Sequence, residues 1–186
     1  MERRRIVDDF PKGGLIGFFG LGESWELGER VGGIIGEAGY QLVVYSDGPE
    51  AHRGACTGFE KAVKAKGWGL HLARTSQANP ETFISQSRDA VIVSLNSTDL
   101  KFYFSVVAIL ALAASSKRSI GVLATGSLMG HIPELLFGYR HQDTENGFVV
   151  IIDQFDSTLK YEEQRIRGVE KAVLGVINAL TNKRKK

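Results

Sequence analysis

From Leu15 onward, short apolar runs alternate with stretches whose apolar residues recur at helical spacing, and no long low-complexity linker interrupts the pattern before the C-terminal tail. Alternation of this kind is the signature of βαβ units. The candidate strands are Leu15–Phe19, Leu42–Tyr45, Trp68–Leu72, Ala90–Leu95, Ile120–Leu123 and Phe148–Ile152. Several are apolar at every position, as strands covered on both faces are. The expected fold class is therefore α/β, a Rossmann-like, doubly wound, mainly parallel sheet flanked by helices on both faces. It forms one domain over residues 13–182, with a basic extension over 1–12 and a basic tail over 183–186.

Between the first two strands, Leu27, Val31, Ile34, Ile35 and Ala38 make one apolar stripe, so this segment reads as a helix. Gly28, Gly32, Gly33 and Gly36 share it, and each costs about 1 kcal/mol relative to alanine in a helix interior. Close approach of the helix to the sheet or to a ligand is the expected compensation. A second stripe, Ile166, Val169, Val173, Val176, Ile177 and Leu180, predicts a C-terminal helix that packs on the sheet and closes the domain. The segment Phe102–Ala114 has almost no polar face. A helix apolar all round is buried all round, so it is either a central core helix or one shared between the sheet and a homodimer interface.

Composition narrows the picture. A chain of 186 residues suits one domain and buries roughly 70% of its unfolded surface without further staples. Cys56 is the single cysteine, so an intrachain disulfide is excluded and an intracellular setting is expected. The start, "MERRRIVDDF", has no apolar core and is a poor signal peptide. The Phe102–Ala114 segment is shorter than the ~20 apolar residues of a membrane span, so a soluble cytoplasmic protein is expected. Net charge is only +2, with the basic excess gathered in Arg3, Arg4 and Arg5 and in Lys183–Lys186. No basic stripe with interleaved aromatics points to nucleic acid. His52, His71, His131 and His141 lack metal-ligand spacing, so neither a metal nor a cofactor is expected.

Two glycine-containing turns remain. The first strand ends in "IGFFGLGES", where Gly17, Gly20 and Gly22 precede a helix with Ser24 at its N-cap. Such a turn either admits an anion to backbone N–H groups at a helix N-terminus or simply lets a strand and a helix pack. The second strand ends in "VYSDGPEAHRGACTGFEKA", with Asp47, Gly48, His52, Arg53 and Gly54 ahead of a helix carrying Phe59, Ala62 and Val63. Arg53 or the N–H groups near Gly54 are candidate phosphate contacts, although Asp-Gly-Pro is also ordinary turn chemistry and His52 and Arg53 suit a solvated surface.

The order of these pieces resembles the LONELY GUY-type family, also labelled "possible lysine decarboxylase", within the group that includes the molybdenum cofactor carrier proteins. "GFFGLGE" and "LGERVGGIIGEAGYQLVVY" are similar to that family's first strand, glycine turn, helix and second strand; "SRDAVIVSL" resembles its fourth strand and "IGVLATGSLMGHIPELLFGYRHQDTENGFV" its fifth strand and following helix. The resemblance implies a Rossmann-like sandwich, a homodimer, and phosphoribohydrolase activity that releases a base from a nucleoside 5′-monophosphate. In that family P-G-G-x-G-T-x-x-E follows the fourth strand and an arginine precedes it.

Here the motif's proline falls on Asn96, its glycines on Ser97, Thr98 and Leu100, its threonine on Lys101 and its glutamate on Phe104, while the arginine falls near Pro80. A phenylalanine cannot transfer protons or stabilise an oxocarbenium ion. The expected function is a nucleotide-like or phosphate-containing ligand bound without glycosidase activity, by Gly20, Gly22, Ser24, Asp47, Gly48, Arg53, Gly54, Asn96, Ser97, Thr98 and Lys101. The alternatives are an enzyme with a rearranged site using Asp47, Glu50, His52 or Asp99, and an interaction subunit with no small ligand.

Overall fold

The computed structural model describes residues 14–45, 50–68, 74–76, 79–96, 100–124, 148–152 and 160–185. Strands β1 (Leu15–Leu21), β2 (Gln41–Tyr45), β3 (Arg74–Ser76), β4 (Ala90–Leu95), β5 (Ser119–Ala124) and β6 (Phe148–Ile152) form one sheet in the order β3-β2-β1-β4-β5-β6. Every pairing is parallel. The helices are α1 (Trp25–Glu37), α2 (Glu50–Ala65), α3 (Pro80–Gln86), α4 (Leu100–Ser115) and α5 (Tyr161–Lys183). This is the doubly wound, Rossmann-like arrangement expected from the sequence.

Strand periodicity divides the core in two. Ile16 and Phe18 of β1 join Leu42, Val44, Ile92 and Leu123 beneath α1, α2 and α5. Leu15, Phe19 and Leu21 join Val43, Val91, Val93, Ile120 and Val122 beneath α3 and α4. Of the expected third strand, Trp68–Leu72, only Trp68 lies among the described residues. Trp68 is part of the turn that closes α2, its N–H donating to Val63 O at 3.2 Å, and it packs against the first core. The strand itself is Arg74-Thr75-Ser76, at the sheet edge, where three polar residues carry no apolar run to be recognised.

Helix α4 is not enclosed on every side by this chain. Val106, Ile109, Leu110 and Ala113 are buried on the sheet, Val107, Ala108, Leu112 and Ala114 are half-buried, and Ala111 is exposed. A small side chain makes that exposure cheap. At the other end of the chain α5 extends through Lys183, and the Arg184 guanidinium stands 5.4 Å from the centre of the Tyr40 ring. Part of the basic tail is thus built into the domain. Among the described residues no helix is long and apolar enough to cross a membrane.

The glycines of α1 are explained by α2, not by the sheet or a ligand. A Cβ on Gly28 would lie 1.9 Å from Ala51 O, and one on Gly32 would lie 1.8 Å from Ala55 O. The relation is mutual, since a Cβ on Gly58 would lie 1.9 Å from Glu29 O and one on Gly54 2.2 Å from Trp25 O. Small residues four apart on both helices bring backbone against backbone, the arrangement that small-xxx-small repeats produce. Gly33 lies off this seam, and a Cβ there would find its nearest neighbour, Gly58 O, 3.9 Å away.

Two alanine substitutions separate packing from propensity. Gly33→Ala should stabilise the protein by about 0.5 to 1 kcal/mol, because alanine gains helix propensity and meets no obstruction. Gly28→Ala should destabilise it by roughly 1 to 3 kcal/mol despite the same gain, because the methyl forces the helices apart. Urea denaturation of both variants measures the difference; equal stabilisation by the two would contradict the seam.

Candidate functional site

β1 and β4 are neighbours whose chains leave in opposite directions, β1 into α1 over one face of the sheet and β4 into α4 over the other. Ligands of open α/β sheets bind outside the carboxyl ends of the strands at such a reversal. The pairing of Leu21 with Leu95 is the last in register, and the Asn96 N–H donates to Leu21 O at 2.8 Å just beyond it. Gly22 then turns the chain with φ of 65°, a left-handed conformation that glycine adopts without cost. Ser24 caps α1, its Oγ accepting the Leu27 N–H at 3.1 Å.

Between Gly22 and Ser24, Glu23 turns inward and meets Arg165 from α5. The two side chains are 1% and 0% exposed. Arg165 Nε donates to Glu23 Oε2 at 2.9 Å, its Nη2 donates to Oε1, and Ser94 Oγ donates to the same Oε1 at 2.6 Å. Both carboxylate oxygens are therefore engaged, which is what burial of a charge pair demands. Two further links hold the start of α5 here. Ser24 Oγ donates to Glu162 Oε1, and Tyr161 Oη donates to Asn96 Oδ1 at 2.7 Å.

His52, expected to suit a solvated surface, is only 2% exposed. Its Nε2 accepts the Gly20 N–H at 3.0 Å, and its ring lies edge-on to Phe18, centroids 5.8 Å apart, and tilted against Phe19. An accepting Nε2 places the proton of the neutral ring on Nδ1, which is buried without a hydrogen-bond partner among the described residues. Burial lowers the pKa of His52 from 6.5 to about 4, because the charged ring would be stripped of water.

The structure brings Gly22, Ser24 and Asn96 together at the switch point. It reassigns two other expected ligand contacts. Gly20 has its N–H committed to His52, and a Cβ there would lie 2.6 Å from Phe18, so its lack of a side chain serves packing and not anion approach. Gly54 is no loop residue, because α2 already begins at Glu50 and Gly54 faces α1. Arg53 is exposed in the opening part of α2, and Lys101 lies in the first turn of α4. Asp47, Gly48, Ser97 and Thr98 lie outside the described residues, as does Asp99. Among the described residues no three His, Cys, Asp or Glu side chains gather as metal ligands would.

Sequence reasoning missed Glu23, Ser94, Tyr161 and Arg165. One signal was present for Arg165, which is in phase with Val169, Ala172 and Val176 on the buried stripe of α5. A cation on an apolar stripe demands a buried acid. No protein-family model and no curated protein matches this chain.

Breaking the pair from one side should be far worse than removing it whole. Arg165→Met alone should cost about 3 to 5 kcal/mol, because it strands a buried carboxylate, whereas Arg165→Met combined with Glu23→Leu should recover most of that loss. Chemical denaturation of the single and double variants checks both.

His52 sets a sign for pH dependence. Its pKa is lower in the folded state, so its contribution is fully present above pH 6.5 and is lost as pH falls from 6.5 towards 4. The contribution is roughly 3 kcal/mol. His52→Gln keeps an acceptor for Gly20 and removes the titration, so the variant should lose less stability than the wild type between pH 7 and pH 4.5 in matched urea titrations.

Proposed function

We propose that this chain binds a small nucleotide-like or phosphate-containing ligand at the carboxyl edge of the sheet, between β1 and β4, and does not act as a phosphoribohydrolase. The observation that carries the reading is the strand-order reversal at β1 and β4, furnished with the positive-φ Gly22 and the N-terminus of α1. Backbone N–H groups and a helix dipole at such a point favour an anion. Arg53 and Lys101, at the starts of α2 and α4, add basic residues on the same edge of the sheet. The resemblance of "GFFGLGE" and the helix after it to the LONELY GUY-type family supports the same class of ligand.

The groups present support the absence of glycosidase chemistry. The family's glutamate position holds Phe104 and its arginine position lies near Pro80. Glu162 at the reversal accepts from Ser24 Oγ, and Glu23 is buried there with both oxygens already occupied by Arg165 and Ser94. A carboxylate sealed in this way has no free oxygen for a ribose. His52, a candidate base in the alternative enzyme reading, is spent on the backbone of β1. A homodimer through α4 remains part of this proposal, with the half-buried Val107 and Ala108 on the surface that a second copy would cover.

Incubation with AMP followed by chromatography should show no adenine above background, whereas thermal-shift measurement should show stabilisation by AMP. A ligand at 100 times its dissociation constant stabilises by ~2.7 kcal/mol. Release of base at about 1 s⁻¹ or faster would establish the enzyme reading instead. No shift with any nucleotide would leave the interaction-subunit reading. Light scattering of the wild type beside Val107→Glu tests the dimer, which the substitution should dissociate.

A further inference from the structure

The first turn of α5 is fastened from outside and not from within. Its N-cap position is Lys160, which makes no side-chain capping bond and sets a cation where the helix dipole disfavours one. The backbone ladder of the helix begins at Gln164, whose N–H donates to Lys160 O at 3.0 Å. Among the described residues, the side chains that hold the turn belong to the switch point. Tyr161 Oη donates to Asn96 Oδ1 at 2.7 Å, and Ser24 Oγ donates to Glu162 Oε1. Both links are exposed, and Tyr161 keeps 48% of its surface in water. One turn further on, the Arg165 side chain is 0% exposed and clamped by Glu23. The helix therefore starts with a lightly fastened end beside a firm pivot.

The groups that fasten this end are also the side chains that the fold brings to the candidate site. A serine hydroxyl has one proton to donate, and that of Ser24 is on Glu162, while Asn96 Oδ1 is taken by the Tyr161 hydroxyl. Segments held by a few exposed hydrogen bonds open locally at far lower cost than the core they adjoin. We propose that the first turn of α5 is an autoinhibitory strap over the switch point. Closed, it occupies Ser24 and Asn96; lifting of Tyr161 and Glu162 about the Arg165 pivot frees both side chains for a ligand. Apparent affinity then falls in proportion to the fraction of molecules in which the strap is open. A change that firms the turn opposes the ligand, and one that loosens it favours the ligand.

This inference rests on the ligand-binding reading above, and two charge-matched comparisons, with AMP as the probe, test the two apart. Tyr161→Phe deletes one fastening without changing charge. In that variant the Gln164 N–H should exchange with solvent about threefold faster or more, measured by magnetic resonance, and AMP should bind about threefold more tightly or more, measured by calorimetry. Lys160→Ser supplies the missing cap, and Lys160→Ala makes the same change of charge without one. Beside Lys160→Ala, the serine variant should slow exchange at Gln164 and weaken AMP by a similar factor. The Val173 N–H, midway along α5, should exchange alike in all these proteins. Acceleration of Gln164 and Val173 together would show general loosening and overturn the strap, as would AMP affinities that do not follow the exchange at Gln164. In either case binding of AMP by the wild type leaves the ligand reading standing. Failure of AMP to bind any of the proteins, Tyr161→Phe included, at millimolar concentration would overturn both.

Discussion

A carboxylate and a guanidinium without access to water cannot tolerate misplacement, and in this protein that pair sits where the order of strands reverses. Glu23 comes from the turn after β1, Ser94 from β4 and Arg165 from α5. Three elements are thus required to meet at one point. A buried pair of this kind gives little net stability compared with apolar residues of the same volume, but misalignment leaves a bare charge in the core. Its effect is selective: it fixes how the start of α5 docks and so where Tyr161, Glu162 and Asn96 come together.

The opposite kind of constraint operates between α1 and α2. There the chain has removed side chains instead of pairing charges, and backbone contacts across Gly28, Gly32, Gly54 and Gly58 set the separation of the two helices. That tight seam pulls the start of α2 towards β1, which is how His52 comes to accept the Gly20 N–H and to lie between Phe18 and Phe19. Glycine loss, helix separation and histidine burial are one linked arrangement. The carboxyl end of β1 on this side is accordingly packed with protein groups.

Much of the fold was legible because continuous apolar runs announce buried parallel strands, and β1, β2, β4, β5 and β6 all have them. β3, described over Arg74–Ser76, has no such run, and Trp68, where the expected third strand begins, closes a helix. The glycines of α1 revealed a cost that something had to offset, yet periodicity within one segment cannot name the partner across the seam. Site residues were harder still. Gly22 and Ser24 stood out from local turn and cap chemistry, which acts over a few residues, and Asn96 from the family motif laid over the end of β4. Glu23 and Arg165 stand 142 residues apart, and only the folded sheet shows that they meet in the core.

That separation also dictates an order of events as the chain is made. β1, α1, β2 and α2 are consecutive, so their glycine seam closes with local contacts soon after the segment exists. The switch point cannot close then, because its guanidinium arrives with α5, after all the described strands. Contacts of such span are slow to form and leave apolar surface and strand edges open meanwhile. Glu23 therefore spends the assembly of the domain as an unmatched charge beside an unfinished sheet. A chain stalled before residue 160 lacks Arg165 and so leaves Glu23 without the partner that buries it.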